Sequence, residues 1–144
     1  GLVLRTSLIT GLPGEGEAEF EELCEFLREA KIERAGVFPF SPEEGTPAAR
    51  MEYPEKDVAM ERAALVERLQ AEVMDEWEAS LVGQTVEAIC DGADPETGEM
   101  LGRCYFDSPG IDGSAVIEGE CRAGDIVRLR IESAEDGLLR GRIV

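Results

Sequence analysis

Residues 54–80 read PEKDVAMERAALVERLQAEVMDEWEAS, and this stretch decides the fold because it separates two units of different pattern. Its larger side chains recur at steps of three and four, which places them on one helix face: Val58, Arg62, Leu65, Val66, Leu69, Val73, Met74 and Trp77. Pro54 suits a first helical turn, and Glu55 and Asp57 are favoured at the positive end of the helix dipole. The pattern predicts one helix that starts at Pro54 and ends before Gly83.

The residues before this helix change period twice. An apolar run over residues 2–9 ends at Gly11 and is typical of a strand buried on both faces. From Glu17 the apolar positions follow a helical spacing, and residues 34–40 have the composition of a second strand. Strand, helix and strand predict a βαβ unit with parallel strands and a right-handed crossover. Because one helix cannot cover both faces of a parallel sheet, we expect this unit to be part of a larger domain.

After the helix, inward-facing and outward-facing residue types alternate in short segments, and turn signals separate these segments. Val86, Ala88 and Cys90 alternate with Thr85, Glu87 and Ile89 in the first of five predicted strands, at residues 84–90, 98–106, 114–117, 125–133 and 138–144. Asp136-Gly137 is a strong signal for a hairpin between the last two strands. Five short antiparallel strands at this spacing predict a small closed or nearly closed barrel, of the oligonucleotide-binding kind or similar.

The net charge restricts the partners that the surface can attract. The 144 residues include 32 acidic and 14 basic side chains and no histidine, which gives a formal charge of −18. Such a surface repels phosphate backbones and attracts basic proteins. An acid excess that only keeps the protein soluble, or that reflects a salt-loving source, explains the composition equally well.

Four cysteines are spread through the chain, at Cys24, Cys90, Cys104 and Cys121. None stands in a C-x-x-C spacing, so the sequence predicts no metal site, and the apolar neighbours favour buried thiols in a reducing compartment over disulfides. The sequence has neither a signal peptide nor an apolar run near twenty residues. We therefore expect a cytoplasmic protein.

Two segments of the first unit resemble the radical S-adenosylmethionine methylthiotransferases. LITGLPGE at residues 8–15 and GVFPFSPEEGTPA at residues 36–48 are similar to the fifth and sixth strands of that family's radical S-adenosylmethionine barrel. The resemblance implies that Ile9, Gly11 and Phe38 flank the S-adenosylmethionine, although core packing explains Ile9 and Phe38 equally well. It also implies two 4Fe-4S clusters in the parent protein. The family's cluster cysteines lie upstream of these segments and match none of the four present, so no catalytic or metal-binding residue is assigned.

Residues 81–144 resemble the TRAM domain that ends these enzymes. LGRCYFDSPGIDG at residues 101–113 is similar to the RimO type, which modifies a ribosomal protein. For four of its residues we favour contact with the target over a purely structural role: Arg103, Tyr105, Asp107 and Asp112. The predicted organisation is a partial radical S-adenosylmethionine barrel at residues 1–53, a linking helix at 54–80, and an OB-like TRAM barrel.

The resemblance leaves two enzyme functions to compare. The first is the carboxyl-terminal part of an enzyme that adds a methylthio group to the β-carbon of an aspartate in small-subunit ribosomal protein twelve, with the TRAM domain holding this basic protein. The alternative is a tRNA methylthiotransferase with an RNA-binding TRAM domain. Residues 81–144 hold 13 acidic residues against six arginines, which disfavours RNA. A free-standing acidic binding module is disfavoured by the incomplete βαβ unit.

Overall fold

The computed structural model describes residues 1–135 and 137–144, which divide into two compact units, Gly1–Met74 and Asp75–Val144. The elements follow in this order: β1 (Arg5–Thr10), α1 (Glu17–Ala30), β2 (Arg34–Pro39), a 3₁₀ helix (Ala48–Arg50), α2 (Lys56–Ser80), β3 (Thr85–Ala93), β4 (Met100–Cys104), β5 (Ala115–Glu118), β6 (Ile126–Glu135) and β7 (Leu138–Ile143). No helix in the described part of the chain is long and apolar enough to cross a membrane.

The first unit is the predicted strand–helix–strand. Strands β1 and β2 pair in parallel, from Arg5 opposite Arg34 to Thr10 opposite Pro39. Leu8 and Val37 pack from the sheet onto a core of Phe20, Leu27 and Val66, which come from α1 and α2.

The prediction that the first strand is buried on both faces is wrong. Ile9 is 45% exposed and Phe38, its partner in the register, is 55% exposed. Side chains alternate between the faces of a strand, so these two lie on the face opposite to Leu8 and Val37. Only one face of the two-stranded sheet is covered by the described helices, as expected for an incomplete parallel unit.

Helix α2 was predicted correctly in its existence and its end, and its buried face was predicted in part, since Arg62, Val66 and Val73 are buried. The helix begins at Lys56, and its buried side chains are Ala59, Arg62, Ala63, Val66, Gln70, Val73 and Glu78. Val58 and Leu65, which the spacing places on the predicted helix face, are 37% and 47% exposed. Ala59 and Ala63 are buried instead, because small alanines allow close approach, and Arg62 and Gln70 donate to the carbonyl oxygens of Glu15 and Ile32.

The second unit is a closed five-stranded barrel in the ring order β3-β4-β5-β7-β6. Four neighbouring pairs are antiparallel, but β5 and β7 run parallel, so the prediction of a wholly antiparallel barrel is wrong in that pair. Directions cannot alternate all the way round a ring with an odd number of strands, which requires at least one parallel pair. The predicted alternation in β3 is confirmed, since Val86, Ala88 and Cys90 point inward.

Strand β4 packs closely against its neighbours β3 and β5 at a glycine. A Cβ added to Gly102 in β4 would lie 2.6 Å from the Ile89 carbonyl oxygen and 2.5 Å from the Ile117 Cδ1, so only glycine fits there. The predicted last hairpin joins β6 to β7, with Glu135 opposite Leu138. The predicted turn consists of Asp136 and Gly137. Gly137 has a φ of +74°, which suits such a turn, whereas Asp136 lies outside the described residues.

Candidate functional site

The three residues predicted to flank S-adenosylmethionine lie near the carboxyl end of β1 and β2 in two different environments. Ile9 and Phe38 are side by side in the register and exposed, so they form a small apolar surface at that end of the sheet. Gly11 is buried instead. Because both side chains are exposed, neither is packed in a core within this chain, which was the alternative explanation for Ile9 and Phe38.

Gly11 allows the end of β1 to touch helix α2. Its φ is +76°, and an added Cβ would collide with the Ala59 Cβ and lie 3.1 Å from the Ala59 Cα. The neighbouring Thr10 hydroxyl donates to the Ala59 carbonyl at 2.8 Å and is fully buried. Backbone conformation and close packing therefore both require glycine here, whatever else binds nearby.

A buried ion pair fixes the turn that follows β1. Arg62 Nη1 donates to Glu15 Oε1 at 2.8 Å and to the Glu15 carbonyl at 3.1 Å, and both side chains are about 90% buried, with exposures of 10% and 9%. The Gly11 N–H donates to the same carboxylate oxygen at 2.8 Å, and the Arg62 guanidinium lies 5.1 Å from the Phe20 ring centre. The helical spacing predicts Arg62 only as one position of the helix face, without a partner. An arginine on an otherwise apolar face was the signal for a buried acid partner.

The barrel carries a groove of about 260 Å³ on its outer surface. Its lining combines three of the predicted contact residues with five from strands β3, β4 and β6: Glu87, Ala88, Ile89, Arg103, Cys104, Tyr105, Asp107 and Ile126. Ile89 pairs with both Arg103 and Ile126 in the sheet register, and Ile126 is 73% exposed. The structure therefore brings Arg103, Tyr105 and Asp107 together, and Asp112 is not among the lining residues.

Arg103 forms an ion pair with a neighbour on the barrel. Its Nε and Nη2 atoms each donate to the Asp91 carboxylate at 2.8 Å. The Arg103 hydrogen bond lowers the pKa of Asp91 below its usual value, and the same bond raises the pKa of Arg103. The groove thus contains a guanidinium whose charge is balanced by a bidentate carboxylate, which limits its attraction for phosphate.

The two predicted aspartates shape the loop after β4. An Asp107 carboxylate oxygen accepts the Cys104 N–H at 2.8 Å, and an Asp112 oxygen accepts the Ser108 N–H at 2.6 Å. Aspartates that bond nearby backbone N–H groups in this way hold tight turns. Tyr105 is 54% exposed, and its ring meets the Phe106 ring edge to face with centres 5.0 Å apart.

Two further arginines of the barrel are also paired with acids. Arg140 bonds Glu99 at 2.7 Å, and Arg142 bonds Glu118 at 2.8 Å and Glu132 at 3.1 Å. Together with Arg103, at least three of the six arginines of residues 81–144 therefore have a carboxylate partner among the described residues. The described residues contain no group of three or more cysteine, aspartate or glutamate side chains placed to hold a metal ion.

Comparison with known proteins agrees with the resemblance seen in the sequence. Residues 82–144 match the TRAM domain family. Ribosomal protein uS12 methylthiotransferases RimO match almost the whole chain: that of Thermus thermophilus is 43% identical over 143 residues, that of Anaeromyxobacter sp. (strain Fw109-5) is 42% identical over 147, and that of Trichormus variabilis is 39% identical over 146. These alignments cover 97%, 100% and 100% of this chain and 33%, 31% and 33% of the relatives. The chain therefore spans about a third of the length of the relatives it matches, in their carboxyl-terminal part, and the predicted resemblance is confirmed.

Proposed function

Because the chain matches the carboxyl-terminal part of the RimO methylthiotransferases along its whole length, we propose that its parent protein adds a methylthio group to the β-carbon of an aspartate in ribosomal protein uS12. The observation that carries this proposal is the similarity at about 40% identity to enzymes named for that protein substrate. The relatives compared above are all named for that ribosomal protein, which favours this function over the tRNA-modifying alternative. In this function the TRAM barrel holds the protein substrate, and the parent protein acts in the cytoplasm.

The barrel groove has the chemistry to accept a lysine or arginine side chain of a basic protein. Ile89 and Ile126 offer an apolar surface for the aliphatic stem of such a side chain. The carboxylates of Glu87 and Asp107 supply negative charge in the same groove, and the exposed Tyr105 ring can lie under a cation. Ribosomal proteins are mostly basic, so charge complementarity favours their encounter with this surface.

The charge distribution of the barrel opposes nucleic-acid binding. A protein that binds a phosphate backbone needs unneutralised lysines and arginines along one surface. Residues 81–144 contain no lysine, and Arg103, Arg140 and Arg142 are each bonded to a carboxylate. Any RNA would have to approach past 13 acidic residues.

The first unit would contribute one wall of the S-adenosylmethionine site in the parent. The exposed, adjacent Ile9 and Phe38 fit a flat apolar part of that cofactor, whereas the buried Gly11 would act by positioning the end of β1. We propose that the ligands of the two 4Fe-4S clusters come from other parts of the parent. The substrate-contacting roles of Tyr105 and Asp107 remain part of the proposal, and we assign Asp112 and Arg103 supporting roles through the loop and Asp91.

The test is binding of the 144-residue chain to purified uS12 and to tRNA. We expect uS12 to bind at low ionic strength and binding to weaken as salt shortens the Debye length from about 30 Å at 0.01 M to about 8 Å at 0.15 M. Glu87→Gln should weaken binding about tenfold, because it removes a charge-assisted contact of roughly 1.4 kcal/mol.

Glu96→Gln is the matched control, since it removes the same charge from an exposed turn outside the groove. Equal losses for both variants would show general attraction without a site in the groove. Binding to tRNA without affinity for uS12 would refute the proposed substrate class.

A further inference from the structure

Two cysteines that are 31 residues apart in the sequence touch in the barrel. The Cys121 thiol donates to the Cys90 sulfur at a sulfur–sulfur distance of 3.2 Å. Cys90 lies in β3 and is 1% exposed, and Cys121 lies half-buried in the segment between β5 and β6. A disulfide bond is about 2.05 Å long, so the sulfurs need to approach by only about 1.2 Å to be joined.

Backbone bonds hold the two cysteines in this position without the sulfurs. The Cys90 N–H donates to the Asp125 carbonyl at 2.9 Å, and the Gly124 N–H donates to the Cys90 carbonyl at 2.8 Å. The turn at residues 122–125, which directly follows Cys121, is closed by the Asp125 carboxylate, which accepts the Arg122 N–H at 2.8 Å. The segment that carries Cys121 is therefore fixed against β3 in the reduced protein, and bond formation requires little reordering of the chain.

We propose that Cys90 and Cys121 are a modification site at which a two-electron oxidant of the peroxide class produces an intramolecular disulfide. The half-exposed Cys121, as thiolate, attacks a peroxide oxygen and becomes a sulfenic acid, and the other peroxide oxygen leaves as water. The Cys90 sulfur then attacks the sulfenic sulfur, the S–S bond forms, and a second water departs. Two thiols lose two electrons and two protons in total, and one peroxide takes them up.

The surroundings of Cys121 make this a slow reaction at neutral pH. Burial, followed by the contact with Cys90 and the negative charge of Asp125, raises the pKa of Cys121 to about 11. Only a small fraction of this thiol is therefore ionised near pH 7, and the thiolate is the reactive form. In a reducing compartment both cysteines stay as thiols, and the disulfide is a product of sustained oxidative exposure.

The bond would connect two walls of the groove. Cys90 directly follows Ile89, and the segment from Cys121 leads into Ile126, which is the partner of Ile89 in the register. Closing a loop of 31 residues restricts the unfolded chain. We expect the oxidised barrel to melt roughly 10–20 °C higher than the reduced barrel, as a disulfide of typical strength in a domain of this size would require.

The experiment oxidises the native 144-residue chain with excess hydrogen peroxide at pH 8.5, alkylates the remaining thiols, and maps the peptides by mass spectrometry. We expect one linked peptide pair that joins Cys90 to Cys121, with Cys24 and Cys104 alkylated, and full reversal by dithiothreitol. Sulfinic acid or an intermolecular dimer at Cys121, with Cys90 alkylated, would overturn the proposal.

A second measurement separates the cross-link from other effects of oxidation. The Cys121→Ser variant should fold, because the cysteine is half-buried and the backbone bonds around it remain. Its melting temperature should not respond to peroxide, whereas the unsubstituted chain should show the increase. An equal increase in both proteins would assign the stabilisation to some other change and refute the role given to the cysteine pair.

Discussion

The buried pair between Arg62 and Glu15 offers a sharp test of how the first unit is held together. We consider Arg62→Met, which keeps most of the apolar stem in the core and removes the guanidinium. Glu15 would keep its hydrogen bond from the Gly11 N–H but would lose the positive charge of Arg62, while its own side chain is only 9% exposed. Removing one partner of a buried pair costs about 3–5 kcal/mol, because the remaining charge has no compensation.

The individual contacts place the expected loss at the lower end of that range. The second acid partner of Arg62 is Glu17 at 3.2 Å, which is 78% exposed and contributes less than about 0.5 kcal/mol. The contact with the Phe20 ring adds roughly 0.5–1 kcal/mol. Glu15 can recover some hydration through local opening. We therefore expect Arg62→Met to lower the free energy of unfolding of the first unit by about 3 kcal/mol.

The assay is urea denaturation followed by far-ultraviolet circular dichroism. Trp77 is the only tryptophan and belongs to the second unit, where its ring meets Phe106 with centres 4.9 Å apart, so its fluorescence reports the barrel separately. Arg68→Met is the matched control, because Arg68 lies on the same helix and is exposed. Glu15→Gln combined with Arg62→Met should be less destabilised than the sum of the single changes. A loss below 1 kcal/mol, or one equal to that of Arg68→Met, would refute the reasoning.

Two further predictions concern a helix cap and a surface ion pair. Gly16 caps α1 with an extended backbone, and its N–H donates to the Glu19 carboxylate at 2.9 Å. Gly16→Thr should therefore complete the capping box and stabilise the unit by roughly 0.5 kcal/mol, measured by thermal melts. An unchanged or lower melting midpoint would mean that the new Cβ, 2.8 Å from the Glu19 carboxylate, disrupts the cap. Because Arg103 lowers the pKa of Asp91 below 3.8, the pair stabilises the barrel above that pH and its contribution disappears as pH falls through the folded-state pKa. The stability difference between the unsubstituted chain and Arg103→Gln, measured by urea melts, should therefore vanish in acid, and a difference that persists there would show that Arg103 acts by packing.

The sequence determined which elements form and in what order. Periods of two and of three to four residues depend only on neighbouring side chains, so the strands, both helices and the barrel were all predictable. The motif over residues 101–113 likewise led to the groove, because Arg103, Tyr105 and Asp107 follow one another along a single strand and its loop. Local pattern also carried the family resemblance, which the comparisons confirmed.

Only the tertiary structure decided which residues meet across the sheets. Glu87, Ile89 and Ile126 complete the groove because β3 pairs with β6, and a pairing between strands that are distant in the sequence leaves no local signal. The contact between Cys90 and Cys121 arises in the same way, through a segment folded back onto β3. The face of α2 was likewise fixed by what packs against it: close approach at Ala59 and the partner of Arg62 outweighed the size of Val58 and Leu65. Burial depends on complementary surfaces from the whole chain, whereas periodicity records only the sequence of one element.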